Sequence, residues 1–257
     1  MSALIEVKNV TNCFGSQVVH DKISMTLEKN EILGLVGGSG SGKSVLLRTM
    51  LGLNKPQEGE VLIDGTNIYT LSTEEMMDIQ KKWGVLFQNG ALFSGMSVLD
   101  NIALPMREHT GLLPEEIDNL AFLKLQMVGL EAATADKHPS ALSGGMVTRA
   151  GMARAMALDP GILFLDEPTG ALDPVAATAL DDLMKALRDI LKLSIMVITH
   201  DLNTLVTVCD RIAMIVDKKV EIGTLDDMRK SDNPKIKEYF DGPRMQAIMS
   251  GRQKGSH

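Results

Sequence analysis

Ile32-Leu33-Gly34-Leu35-Val36-Gly37-Gly38-Ser39-Gly40-Ser41-Gly42-Lys43-Ser44-Val45 is the stretch on which the fold turns. Its first five residues form a short, almost unbroken apolar run, the pattern of a strand covered on both faces. The run stops at Gly37, and Val45 to Leu51 has helical spacing closed by Gly52. Between strand and helix, Gly37 to Ser44 matches G-x-x-x-x-G-K-[ST]. Gly37, Gly38, Gly40 and Gly42 let successive backbone N–H groups turn inward round an anion, and the helix N-terminus adds positive potential. Lys43 is placed to bridge the β- and γ-phosphates of a nucleotide and Ser44 to offer its hydroxyl to Mg²⁺, while Ser39, Ser41 and Val45 complete the phosphate-binding set. A merely flexible glycine turn is the competing reading, and the strand before it and the helix after it argue against that.

The loop alone does not separate kinases, GTPases and ATPases. Asn54-Lys55-Pro56-Gln57 superficially matches the guanine-reading N-K-x-D pattern, but Gln57 stands where the carboxylate that accepts from the guanine amine belongs, so a GTPase is disfavoured. Asp166-Glu167 closes the apolar run Ile162 to Leu165, which places two carboxylates at the C-terminal end of a buried strand, the ligand edge of such sheets. Asp166 can hold Mg²⁺ through water. Glu167 points the other way, as neighbours on a strand must, and can orient or deprotonate a water attacking a γ-phosphate. In isolation the pair reads equally well as a solvated strand end.

Working outward, residues 3 to 30 alternate polar and apolar in places, as in Ile5-Glu6-Val7 and Ile23-Ser24-Met25-Thr26-Leu27, which predicts half-buried antiparallel strands. Val61 to Ile63 followed by Asp64-Gly65 predicts a strand and tight turn, and Trp83 to Phe87 another strand. From about 90 to 140 the spacing becomes helical, with breakers at Pro105, Gly111, Pro114 and Pro139, and an inserted helical subdomain is expected there. Ile162 to Leu165 and Ile195 to Thr199 read as buried strands joined by a helix whose apolar stripe is Leu180, Leu183, Leu187, Ile190 and Leu191. Strand, helix, strand implies a parallel sheet. Ile212 to Val216 and Val220 to Ile222 flank a hairpin at Asp217-Lys218-Lys219, and a polar, helical remainder begins at Leu225.

The 257 residues are 44% hydrophobic and 23% charged, which fits one elaborated α/β domain rather than a disordered or fibrous chain. A formal charge of -7 opposes attraction to nucleic acid phosphates. Cys13 and Cys209 share no metal-ligand spacing and read as free thiols of a reducing cytosol. No run approaches the roughly 20 apolar residues that cross a bilayer, and no signal segment is evident, so a cytoplasmic chain is expected. The 17 methionines suit either core gap-filling, the commoner use, or adaptable contact surfaces. Gly255, Ser256 and His257 are set aside, since such a run also arises as an artificial tail.

Leu142-Ser143-Gly144-Gly145-Met146 resembles the L-S-G-G-Q signature of ATP-binding cassette (ABC) proteins, with Arg149 and Arg154 in the usual downstream pattern and Met146 in place of the glutamine. Over nearly the whole chain the other motifs of that family follow in order. Phe14 matches the aromatic that stacks on adenine, Gln88 the glutamine loop, Gly170-Ala171-Leu172-Asp173 the D-loop, and Thr199-His200-Asp201 the switch histidine. Without the resemblance, Phe14 would read as a core aromatic and His200 as a structural histidine. The resemblance implies a P-loop NTPase (RecA-like) α/β core with an N-terminal antiparallel β subdomain and an inserted helical subdomain, an ATPase domain over residues 1–240 and a tail over 241–257. It also implies ATP and Mg²⁺ as ligands, with Lys43, Gln88, Glu167 and His200 catalytic and Ser44, Gln88 and Asp166 serving the metal. Two copies would pair head to tail, so that Ser143, Gly144, Gly145 and Asp173 of one serve the nucleotide held by the other.

Phe87-Gln88-Asn89-Gly90-Ala91-Leu92-Phe93, Asn101 to Pro105, Arg107-Glu108-His109-Thr110 and Asp241-Gly242-Pro243 resemble the ATPases of MCE-type lipid transporters, above all the Mla phospholipid-transport ATPases. That resemblance implies a peripheral protein on the cytoplasmic face of a Gram-negative inner membrane. Its partners would be a permease dimer, a periplasmic MCE-domain protein and a small STAS-domain protein, with no nucleic acid. The apolar Leu92, Phe93 and Met96 would seat a permease coupling helix, or simply pack the helical subdomain. The rivals are a soluble ABC ATPase without a transporter, for example in iron–sulfur cluster assembly, and the ATPase of another ABC transporter.

Overall fold

The computed structural model describes residues 3–254, which fall into two compact units. One is built from the residues up to 73 together with those from 198 onward, the other from residues 74–197. Gly255, Ser256 and His257 lie outside the described residues.

The chain opens with two long strands, β1 (Ala3–Phe14) and β2 (Gln17–Glu28), paired antiparallel. The predicted alternation is met: Ile5, Val7, Ile23, Met25 and Leu27 are buried while Ser24 is exposed. β3 (Ile32–Gly37) is buried from Ile32 to Val36 and runs into the glycine loop, after which α1 (Lys43–Met50) buries Leu46, Leu47 and Met50. β4 (Glu58–Ile63) and β5 (Thr66–Asn67) complete a sheet in the order β2-β1-β4-β5. Asp64 and Gly65, both at positive φ, make the expected tight turn.

The second unit starts with α2 (Thr73–Gln80) and β6 (Trp83–Leu86). Its helical part comprises α3 (Val98–His109) and α4 (Pro114–Met127), and α5 (Gly144–Ala155), the signature helix, packs on both. Pro114 opens α4 as expected of a helix-starting proline. Pro105 breaks nothing: it lies inside α3, where Val98, Ile102, Ala103 and Met106 supply enough buried surface to carry the helix past one missing N–H. β7 (Ile162–Asp166) pairs parallel with β6, and the order β6, β7, then β8 (Ser194–Ile198) holds across the unit. α6 (Pro174–Leu191) joins β7 to β8. Its buried stripe is Leu180, Met184 and Leu187, whereas Ile190 and Leu191 are 76% and 42% exposed, which corrects the expected stripe. Residues 180, 184 and 187 share one face by the 3.6-residue period, and the last turn, ending on left-handed Lys192, runs out beyond the surface it covers.

Back in the first unit, α7 (Leu202–Thr207) leads to β9 (Arg211–Val216) and β10 (Lys219–Gly223). β9 lies parallel to β3 and antiparallel to β10, with Asp217 and Lys218 as the positive-φ turn of the predicted hairpin. α8 (Leu225–Arg229), α9 (Pro234–Asp241) and α10 (Pro243–Lys254) follow. Of the expected tail, Pro243–Lys254 forms α10, and its Met245 is buried in one cluster with Val36, Leu205, Met214, Ile236 and Phe240.

Candidate nucleotide site

In the first unit, the glycine loop is shaped by residues with no side chain to obstruct it. Gly40 and Gly42 sit at φ +74° and +101°, a region costly for any residue with a Cβ. At Gly38 and Gly40 the space a Cβ would take is open. The Gly42 carbonyl accepts the first helical bond from Leu46 N at 2.9 Å, so the N–H groups at the start of α1 are left for an anion. Lys43 Nζ donates to Gly37 O at 2.8 Å and Gly38 O at 3.2 Å, holding its ammonium across the loop. Ser41 Oγ is buried and, among the described residues, has no hydrogen-bond partner. An anion-binding cradle with a spare hydroxyl and a centred ammonium fits the polyphosphate of a nucleotide.

Thr199 N donates to Leu35 O at 3.3 Å, which ties the segment carrying His200 to β3 two residues before the loop begins. His200 itself is exposed, and Asp201 after it caps α7 by accepting from Asn203 N. Phe14 is 52% exposed at the tip of the β1–β2 hairpin, so it is not a core aromatic. The residue before it is held by a device the sequence did not reveal: the Gln57 amide accepts from Cys13 N at 2.7 Å and donates to Cys13 O at 3.2 Å. Among the described residues neither Cys13 nor Cys209 forms a disulfide.

His20, on β2, was also missed. It is fully buried, and its Nδ1 lies 3.0 Å from Asn12 Nδ2. Burial pushes its pKa down to about 4, partly offset by the Gly42 backbone. A folded-state pKa below the ordinary value means that the unfolded chain takes up the proton first, so this contribution to stability is complete above about pH 6.5 and is lost as pH falls towards 4. We expect His20→Phe to be less acid-sensitive than the wild type over that window, measured by denaturant unfolding at pH 7 and pH 4.5. Parallel losses in the two proteins would contradict it.

In the second unit, Asp166 ends β7 and Glu167 turns the chain at φ +50°, a strained backbone of the kind that clusters at functional sites. Gly170 N donates to Glu167 O at 3.3 Å, closing the turn that leads to Asp173, which caps α6 through Val175 N and Ala176 N. Ser143 caps α5, accepting from Met146 N at 3.3 Å. A Cβ on Gly144 would touch Ala171 O and one on Gly145 would touch Ala176, so the signature lies against the D-loop of its own unit.

Gln88 is exposed and opens a turn in which Asn89, Gly90 and Ala91 all have positive φ. Gly90 packs on the signature helix so closely that a Cβ would lie 2.9 Å from Val147 O, and Arg154 donates to Gly90 O and Ala91 O. Asn101, fully buried on α3, accepts from Phe93 N at 2.7 Å and donates to Phe93 O and Ser97 O, which fixes the apolar loop. That loop borders a cleft of about 570 Å³ lined by Trp83, Val85, Phe87, Phe93, Leu104 and Pro105, with Glu108 and His109 at its side.

Residues 20–170 match the family model described as ABC transporter. The chain belongs to the ABC transporter family. It is 40% identical over 240 residues to the intermembrane phospholipid transport system ATP-binding protein MlaF of Haemophilus influenzae, covering 93% of this cassette and 90% of that protein. It is likewise 40% identical to the probable ribonucleotide transport ATP-binding protein mkl of Mycobacterium leprae, over 99% of this cassette and 73% of that one. Among solved structures, the dimeric post-hydrolysis state of the ATP-binding cassette MJ0796 bound to ADP and Pi superposes with a TM-score of 0.77 at 31% identity, covering 86% of this chain and 98% of that one. The cassette is thus an ATP-hydrolysing ABC protein with a P-loop NTPase core and an N-terminal antiparallel β subdomain. No helix of the described residues is long and apolar enough to cross a membrane.

Proposed function

We propose that this cassette is the ATPase of an MCE-type system moving phospholipid between the inner and outer membranes of a Gram-negative cell, working as a head-to-tail homodimer under a permease dimer. The observation that carries the reading is the 40% identity to MlaF over nearly both full lengths. The loop at Gln88 to Met96 supports it, because its apolar cleft is braced from within by Asn101 and Arg154 rather than filled. A cleft of that kind seats an amphipathic helix of a permease. A periplasmic MCE-domain protein and a small STAS-domain protein complete the assembly, which places the cassette at the cytoplasmic face of the inner membrane.

In the catalytic cycle Lys43 binds the β- and γ-phosphates, Glu167 orients the attacking water and His200 reads the γ-phosphate. Phe14 stacks on the adenine. Ser44, Gln88 and, through water, Asp166 would hold Mg²⁺, and their hard oxygen donors suit that ion, which binds through few protein ligands plus phosphate. When bound, Mg²⁺ neutralises charge on the phosphates. Ser143, Gly144, Gly145 and Asp173 serve the nucleotide of the opposite subunit.

Ser143→Ala separates that last role from folding. Loss of the cap costs α5 about 1 kcal/mol, while loss of a hydrogen bond to a charged phosphate lowers turnover about 10- to 100-fold. ATP affinity of the isolated monomer is expected to stay at the wild-type value, and a large fall in it would contradict the composite site.

Similarity to mkl favours a second reading, the ATPase of an ABC importer or exporter of another cargo. Affinity purification of the cassette from native membranes in detergent, followed by identification of the bound chains and lipids, decides between them. An MCE-domain protein, a permease and phospholipid are expected; recovery as a lone dimer, or with a permease carrying no lipid, would overturn the lipid-transport reading.

A further inference from the structure

Beneath the phosphate loop lies a polar cluster that nucleotide contact does not explain. Thr49, buried on α1, donates its hydroxyl proton to Val45 O at 2.9 Å, so its oxygen accepts from Asn12 Nδ2 at 3.1 Å and from Asn54 Nδ2 at 3.4 Å. The same Asn12 amide donates to His20 Nδ1 at 3.0 Å. Nδ1 is therefore an acceptor, and the one proton of the neutral ring sits on Nε2. That Nε2 is buried and has no hydrogen-bond partner of normal geometry among the described residues.

What Nε2 faces is the last glycine of the loop. A Cβ on Gly42 would collide with Nε2 and lie 2.6 Å from Val19 Cγ1, so the imidazole and its neighbour fill the space under Gly42. Gly42 is also the residue at φ +101° that caps α1 and precedes Lys43. That conformation is open to glycine and costly for any other residue, and the imidazole and Val19 leave no room there for a side chain.

The geometry points to His20 as a positioning residue of the phosphate loop: locked by Asn12 with its proton on Nε2, it turns that N–H onto the Gly42 backbone and fixes the bend that presents Lys43 and the α1 amides to phosphate. His20 touches no nucleotide. It acts through Gly42, and through Thr49 it ties the bend to β1 and α1. The inference rests on the reading of Gly37 to Ser44 as the nucleotide site.

The side chains of Gln and Asn separate this role from plain support of the core, because the Gln amide nitrogen reaches the place of Nε2 and the Asn amide only that of Nδ1. MgATP is titrated into the full-length chain and its His20→Phe, His20→Gln and His20→Asn variants, with thermal unfolding of each as a control. His20→Phe and His20→Asn are expected to bind MgATP about tenfold more weakly, because no N–H then faces Gly42 from the place of Nε2, and His20→Gln within about threefold of the wild type. Rescue by Asn instead of Gln, by both alike or by neither overturns the inference, as does wild-type affinity in His20→Phe. If His20→Phe does not fold, the Gln and Asn pair still decides. Lys43→Ala in the same titration keeps the two readings apart: unchanged affinity there removes the nucleotide-site reading itself, whereas a loss there without one in His20→Phe removes only the role of His20.

Discussion

Glu167→Gln is expected to lower steady-state ATP hydrolysis by about 10²- to 10⁴-fold, the range for removing a group that manages a proton in the transition state. The substitution replaces a carboxylate by an amide of the same shape at the end of β7, so the buried strand and the turn from Glu167 O to Gly170 N are undisturbed. The backbone strain at φ +50° is borne equally by both residues. ATP still binds, because Lys43 and the loop amides are untouched. The variant should therefore accumulate as an ATP-bound dimer, detected as a shift in mass by light scattering with MgATP that does not decay over many turnover times of the wild type. An unchanged rate of phosphate release would remove Glu167 from the chemistry.

The parts of this machine that were legible in the sequence are those whose physics is local. The apolar run Ile32 to Val36, the glycines after it and the helix beginning at Lys43 are consecutive, and the backbone does there what each residue prefers. The position of Asp166 at a strand end was likewise local, whereas Ser143-Gly144-Gly145 stood out through its resemblance to a family motif, and the structure puts it at the start of α5. What escaped notice depends on contacts across long intervals. Alternation of Ile23, Met25 and Leu27 along β2 would put His20 on the opposite face; the irregularity at Lys22, whose φ is +50°, turns it inward, and nothing in the pattern brings it to Asn12 and Gly42. Gln57 looked like a failed guanine reader, and its actual work, clamping the backbone of Cys13 from 44 residues away, required the sheet to be built first. Pro105 and the pair Ile190 and Leu191 misled for the opposite reason: residue type alone predicted a break and a buried stripe, and burial along α3 and α6 overruled it. Asn101 carried a subgroup resemblance in the sequence and turns out to hold Phe93 by both backbone groups, a physical reason for an otherwise unexplained polar residue in the core.

Lys43→Ala should give the converse state to Glu167→Gln: a folded protein that neither binds ATP tightly nor dimerises in its presence. Lys43 opens α1 and is part exposed, and alanine is the better helix former, so the helix has no reason to fray. The loss is confined to the ammonium, which spans Gly37 O and Gly38 O and offers the only side-chain cation within the loop sequence. A charge-assisted hydrogen bond is worth about 1.5–3 kcal/mol, which makes the expected weakening of MgATP binding about 10- to 100-fold. Lys43→Arg tests whether charge alone suffices. Its planar fork cannot reach both loop carbonyls and phosphate as a compact ammonium does, so affinity should recover only in part. Full recovery in Lys43→Arg would mean that the loop needs a positive charge and no particular geometry. Wild-type affinity in Lys43→Ala would mean that the glycine loop is not where the triphosphate sits. Because the two variants block the cycle on opposite sides of nucleotide binding, their opposite effects on dimer mass in MgATP test whether ATP itself closes the dimer.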